Sequence, residues 1–164
     1  MDFYLQKAFE ELLKSDGLCV MARGLGLKRL LVKFIQHYNS GSTASSGSTA
    51  SGTKRLVFVI NAKDDDEVIR DMLMADGLPP TAAPHVFTSD TSIPERCEMY
   101  KRGGVFIVTS RILIQDLLLE TVNLKQISGI LVANAHRVTA DSIEAFVLKV
   151  YRQNNNTGFI KVPA

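Results

Sequence analysis

Three features of the 164-residue sequence predict an α/β fold, an open and mostly parallel sheet of about six strands with helices on both faces. Short apolar runs alternate with segments whose apolar residues recur every three or four positions, the pattern of strands joined by crossover helices. The runs, such as Leu56-Val57-Phe58-Val59-Ile60, carry no polar face, as strands covered on both sides require. The length suits a single domain over 1–164, and 46% hydrophobic with 22% charged residues is ordinary for a soluble globular core.

The elements follow in order. Phe3 to Lys14 places Leu5, Ala8, Phe9, Leu12 and Leu13 at helical spacing, and Asp16-Gly17 is a turn signal. Leu18-Cys19-Val20-Met21-Ala22 suits a buried parallel strand, and Gly24 and Gly26 mark a loop behind it. Leu27, Leu30, Leu31, Phe34, Ile35 and Tyr38 then form one face of a helix. Leu56 to Ile60 is the second strand. Asp64 to Ala75 is a helix whose three leading aspartates suit its N-terminal dipole and read as a solvated first turn. After a proline-rich loop at Gly77 to Pro84, His85 to Thr88 is a short strand and Pro94 to Arg102 a helix opened by its proline. Val105 to Thr109 is a strand and Ser110 to Leu119 a helix. Ile130 to Ala133 is a strand, and Asp141 to Gln153 a helix with Ile143, Phe146, Val147 and Val150 inward. Phe159 to Val162 closes the sheet.

Residues 39–53, NSGSTASSGSTASGT, interrupt this pattern. They carry no charge and nothing apolar larger than Ala, so they read as a flexible insertion within the domain. No apolar run approaches the roughly 18 residues of a membrane-spanning helix. The opening MDFYLQKAFEELLKSDG mixes charge with helical spacing and does not read as a secretory signal. Two cysteines are too few for a disulfide scaffold or a four-ligand zinc site, which suits a reducing, intracellular setting. Cys19 reads as a small strand hydrophobe, and Cys97 has no histidine partner that would make it a nucleophile. A net charge of +2 does not by itself announce nucleic-acid binding.

In open parallel sheets the site lies at the carboxyl ends of the strands, so the loops there carry the functional question. After the first strand comes Ala22-Arg23-Gly24-Leu25-Gly26-Leu27-Lys28-Arg29, in the position of a phosphate-binding loop. Such a loop needs a lysine directly after its second glycine and a Ser/Thr after that. Leu27 and Lys28 stand there instead, and one step along a helix turns a side chain by about 100°, so Lys28 is a poor substitute. After the Ile130 strand comes Ala133-Asn134-Ala135-His136-Arg137. An NTP-hydrolysing domain carries carboxylates there for magnesium and water, and neither Ala133 nor Asn134 can do that work. His136 reads plainly as a hydrogen-bonded loop residue.

These segments resemble the first RecA-like lobe of a superfamily 2 helicase, within the P-loop NTPase-like folds. ARGLGLKRLL resembles a motif I without its Lys and Thr, and ANAHRV a DEAH box without its acids. More narrowly, DGLCVMARGLGLKRLL, YKRGGVFIVTSRILIQDLL, ISGILVANAHRV and EAFVLKVYRQNNNTGFIK resemble the N-terminal helicase-like region of the XPF family of structure-specific DNA repair endonucleases. The resemblance implies a nuclear parent protein acting in nucleotide excision and crosslink repair. It also implies a second helicase-like lobe, a nuclease domain using Mg²⁺, and a non-catalytic heterodimer subunit bound through a C-terminal part. The nuclease pattern GD…ERK…D is absent: Glu95-Arg96 is followed by Cys97 and has no upstream Gly-Asp. This stretch is therefore expected to have no catalytic residues, no metal and no cofactor of its own.

Helicases of this fold contact the DNA backbone with the loop after the Val105 strand, here Thr109-Ser110-Arg111 at a helix start. Arg23, Lys28, Arg29 and Arg137 lie at neighbouring strand ends and extend a basic rim, with Arg152 and Lys161 as weaker additions. The competing expectation for each is a solvated surface charge or a helix-cap contact. A second role is a docking platform, in the family for a scaffold protein of the SLX type. Leu117, Leu118 and Leu119 run consecutively along a helix, so at least one must face outward. An active ATPase is the third reading, and would need Lys28 and one of Asp64, Asp65 and Asp66 to replace the lost groups.

Overall fold

The computed structural model describes residues 3–40 and 55–164. Among them helices and strands alternate: α1 (Phe3–Lys14), β1 (Gly17–Cys19), α2 (Leu27–Ser40), β2 (Leu56–Ile60), α3 (Asp66–Ala75), β3 (His85–Val86), α4 (Ile93–Arg102), β4 (Gly104–Val108), α5 (Ser110–Leu118), β5 (Ile127–Val132), α6 (Ile143–Asn154) and β6 (Phe159–Pro163). The strands form one sheet in the order β1-β6-β5-β2-β4-β3, and every pair in it is parallel. β2 lies at its centre, with Phe58 opposite Phe106 of β4 and Ile130 of β5.

Two cores explain the unbroken apolar strands. Val57, Val59, Val105, Ile107 and Leu131 face α1, α2 and α3, and pack with Leu5, Phe34, Ile35 and Leu73. The alternate residues Phe58, Ile60, Phe106, Val108 and Ile130 face α4, α5 and α6, and pack with Tyr100, Leu113, Val147 and Tyr151. Because every strand points the same way, the loops after β1, β2, β4 and β5 emerge along one edge of the sheet.

Several sequence-based boundaries move. β1 is shorter than Leu18 to Ala22, although its pairing continues through Met21 N–H to Ala164 O (2.8 Å). It is an edge strand, and Leu18 and Val20 are exposed rather than buried. β5 begins at Ile127, three residues early, and the aspartate run splits into a 3₁₀ turn at Lys63–Asp65 ahead of α3. α6 starts at Ile143 behind a Ser142 cap, with Ile143 39% and Phe146 50% exposed, so these two do not point inward as expected. α2 runs on through Asn39 and Ser40, and the rest of the expected flexible insertion lies outside the described residues.

The carboxy-terminal segment is architectural. The Arg152 guanidinium pairs with Asp16 and donates to the carbonyls of Asn155 (3.2 Å) and Gly158 (2.8 Å). Asp16 in turn accepts from Ile160 N–H (3.0 Å). Lys161 is buried and donates to the carbonyls of Leu12 and Ser15, closing the carboxyl end of α1. Arg152 and Lys161 therefore fasten the amino ends of the strands, at the edge opposite the functional loops, and are no part of a basic rim. Between α4 and α5, Arg96 and Asp116 form a buried bidentate pair (2.8 and 2.6 Å), and Tyr100 OH donates to the same carboxylate (2.6 Å).

Candidate functional site

The loop after β1 is shaped by two left-handed glycines, Gly24 at φ +87° and Gly26 at φ +83°, a conformation that disfavours any side chain. Leu25 N–H donates to Ala22 O (3.2 Å) to close the turn. α1 supports it from below. Tyr4 OH donates to Leu25 O (3.1 Å), and a Cβ on Gly26 would lie 3.0 Å from Leu5 Cδ1. α2 then begins at Leu27, which is half-buried on its apolar side, while Lys28 and Arg29 are exposed beside exposed Arg23.

The loop after β5 holds the four positions that resemble a decayed DEAH box. Ala133 is buried, donates its N–H to Ile60 O (3.0 Å) and has no side-chain ligand atom. Asn134 adopts the left-handed region (φ 47°), as does Asn61 (φ 61°) at the end of β2. The two clasp each other: Asn61 Nδ2 donates to Asn134 O (3.0 Å) and Asn134 Nδ2 to Asn61 O (3.1 Å). Ala135, exposed His136 and Arg137 follow in a 3₁₀ turn.

Asp65 joins these loops to α2. Its Oδ1 lies 2.6 Å from Lys28 Nζ, and its Oδ2 accepts from Asn134 Nδ2 (2.9 Å). Burial alone would raise this carboxyl, but hydrogen bonds from Lys28 and Asn134 and the charges of Lys28 and Arg137 outweigh it and hold it below the usual carboxylate range. Outside this contact, Arg137 reaches Asp64 at 3.4 Å, with both side chains exposed. An open cavity of about 1090 Å³ lies between the loop after β1 and the loop after β5. Its walls are mainly apolar, including Met21, Val132 and Val162, and Arg23, Lys28, Arg29 and His136 border it.

At the loop after β4 the polar groups divide. The Thr109 hydroxyl caps α5 by accepting from Ile112 N–H (3.3 Å). Ser110 is buried and donates to Glu144 Oε1 (2.7 Å). Both hydroxyls thus serve the lobe internally, and Arg111 alone of the three is exposed. Arg23, Arg29 and Arg111 form no ion pair among the described residues, in contrast to Lys28 and Arg137.

The sequence reading missed Asn61 and misjudged Asp65. The aspartate run was visible, but the helix-dipole reading placed all three in solvent, and only the fold brings Lys28 to the second of them. Asn61 carried a faint signal, an asparagine closing a buried strand, where left-handed backbone is tolerated.

A parallel sheet with this strand order, its helices on both faces and a glycine loop after the first strand define a RecA-like α/β fold. The helicase domain of Pyrococcus furiosus Hef superposes with a TM-score of 0.74 at 20% identity, over 99% of this chain and 32% of that one. No family model matches the chain. Among curated proteins, the DNA repair protein rad16 of Schizosaccharomyces pombe is 35% identical over 158 residues, 96% of this chain and 16% of that protein. The DNA repair endonuclease XPF of Cricetulus griseus is 36% identical over 159 residues, again 96% of this chain and 16% of that protein. Over 96% of its length the chain is similar to a helicase-like region of these XPF-family repair proteins, and it spans only 16% of their length.

Proposed function

We propose that this lobe serves a structure-specific DNA repair endonuclease as a non-catalytic module. It engages single-strand/double-strand junction DNA along the carboxyl edge of its sheet, and its ATP chemistry is lost. The observation that carries the reading is the state of the nucleotide loops. Lys28, the cation next to the lysine position of the loop, is paired with Asp65, and the acid positions hold Ala133 and Asn134. These groups do not fit a magnesium–nucleotide complex, which needs a free lysine and at least one carboxylate at the second loop.

Exposed Arg23, Arg29 and Arg111, which form no ion pair among the described residues, remain along the same edge, and guanidinium groups suit backbone phosphates, which position a protein on DNA without reading sequence. The proposed parent is nuclear and carries a second helicase-like lobe, a Mg²⁺-dependent nuclease domain and a non-catalytic heterodimer subunit; the likeness to DNA repair endonucleases supports its nuclease part. The test is a salt titration of junction-DNA binding by the wild type and by the R23A/R29A/R111A variant. The variant should bind more weakly, and its log–log salt slope should flatten by about 0.9 for each phosphate that is no longer neutralised. Unchanged affinity and slope would sink the DNA reading.

A docking role is the second reading, favoured by Leu118 and Leu119 at 64% and 58% exposed on the end of α5. A glutamate at each should abolish co-purification with an SLX-type scaffold if that face is the contact, and retained binding would remove it.

A further inference from the structure

Three of the four loops at the carboxyl edge, those after β1, β2 and β5, are cross-linked by the chain itself. We propose that Asp65 is a built-in occupant of the polyphosphate seat: its carboxylate takes Lys28 and ties it to the loop after β5, closing the seat to free polyphosphate. This rests on the reading that nucleotide chemistry has been lost. In a working lobe the bound nucleotide and its metal bridge the loop after the first strand to the acidic loop. Here a side chain from a third loop, the one after β2, makes that bridge.

Two independent features support it. Both oxygens of Asp65 are committed, Oδ1 to Lys28 (2.6 Å) and Oδ2 to Asn134 (2.9 Å), and both of those partners border the cavity. The loops after β2 and β5 are held to each other a second time by the reciprocal Asn61–Asn134 clasp, built on two left-handed asparagines. A left-handed non-glycine residue persists where its surroundings over-determine it, so the loop geometry is set without any ligand. The Asp65 side chain is only 20% exposed, so its charge is screened less than an open surface pair. An incoming polyphosphate would meet a neutralised lysine and a carboxylate of its own sign. The rest of the seat is intact: the two glycines keep the loop open to close approach, and the start of α2 follows at once.

The experiment is calorimetric titration of inorganic triphosphate into the wild type, D65A, D65N and the K28A/D65A double variant at low salt. D65N keeps the volume and a hydrogen-bonding group at the site, so it answers the question if D65A loosens the loops. Removing the carboxylate should tighten triphosphate binding by about tenfold, the worth of one charge-assisted hydrogen bond, and K28A should abolish the gain. Equal affinity in wild type and both Asp65 variants, or a gain that survives K28A, would overturn the proposal. Saturable binding of ATP·Mg²⁺ by the wild type would instead overturn the loss of nucleotide chemistry on which it rests.

Discussion

Asp116 is fully buried with both carboxylate oxygens occupied, by Arg96 and by Tyr100, and Arg96 is 4% exposed. Removing one partner strands the other's charge in the core. We expect Asp116→Ala to cost about 3–5 kcal/mol in urea unfolding, against about 1 kcal/mol for Tyr100→Phe, which leaves the pair intact. A loss at Asp116 no larger than that at Tyr100 would contradict the buried network. Asp65 makes a different demand. Its folded carboxyl lies below its ordinary value, so its pairing stabilises the lobe above the carboxylate range and the contribution fades as pH falls through the folded value. The acid limb of wild-type stability should therefore be steeper than that of Asp65→Asn. Superposable pH profiles would show that the Lys28 pairing adds nothing to the fold. Neither residue disclosed this in the sequence, since charges at helical spacing read as surface until a second helix or loop is brought against them.

At the scale of elements the periodicities were largely sufficient. Strands apolar on both faces and helices striped on one side were placed to within a few residues, because burial on a parallel sheet leaves little freedom in pattern. The failures have local causes. β1 carries apolar residues but lies at the sheet edge, where Leu18 and Val20 are exposed, and position in the sheet is not written in a strand's own residues. In α6 the inward stripe is centred on Val147 and Tyr151, which leaves Phe146 half outside. Phe146→Ser should change the stability read from urea unfolding by no more than about 0.5 kcal/mol, whereas Val147→Ala should cost roughly 1–3 kcal/mol. Lys161 looked like part of a basic surface and is instead the buried clamp on the carboxyl end of α1. Lys161→Ala strips those carbonyls of their donor and should destabilise the lobe by about 1–3 kcal/mol, with hydrogen exchange rising first in α1. Protection of α1 unchanged from wild type would argue against the clamp.

For the whole molecule, the class of fold was legible, because the alternation of apolar runs and amphipathic segments is written locally in the sequence. What was not legible was how the loops meet. The Lys28–Asp65–Asn134 bridge spans residues far apart in sequence, and it exists because β1, β5 and β2 share one carboxyl edge. The net charge of +2 conceals the same arrangement: Arg23, Arg29 and Arg111 lie along that edge without an ion pair among the described residues, while Arg152 and Lys161 are spent at the other. On the proposed function, a lobe of this kind holds DNA with its shape and its arginines, and the Lys28–Asp65–Asn134 bridge takes the place of a nucleotide between its loops. The direct test is junction-DNA binding by this chain, followed by fluorescence anisotropy with and without ATP and Mg²⁺ while phosphate release is recorded. We expect one saturable isotherm, identical in both conditions, with no ATP consumed. An isotherm that shifts with nucleotide, ATP turnover, or no binding to the junction at all would contradict it.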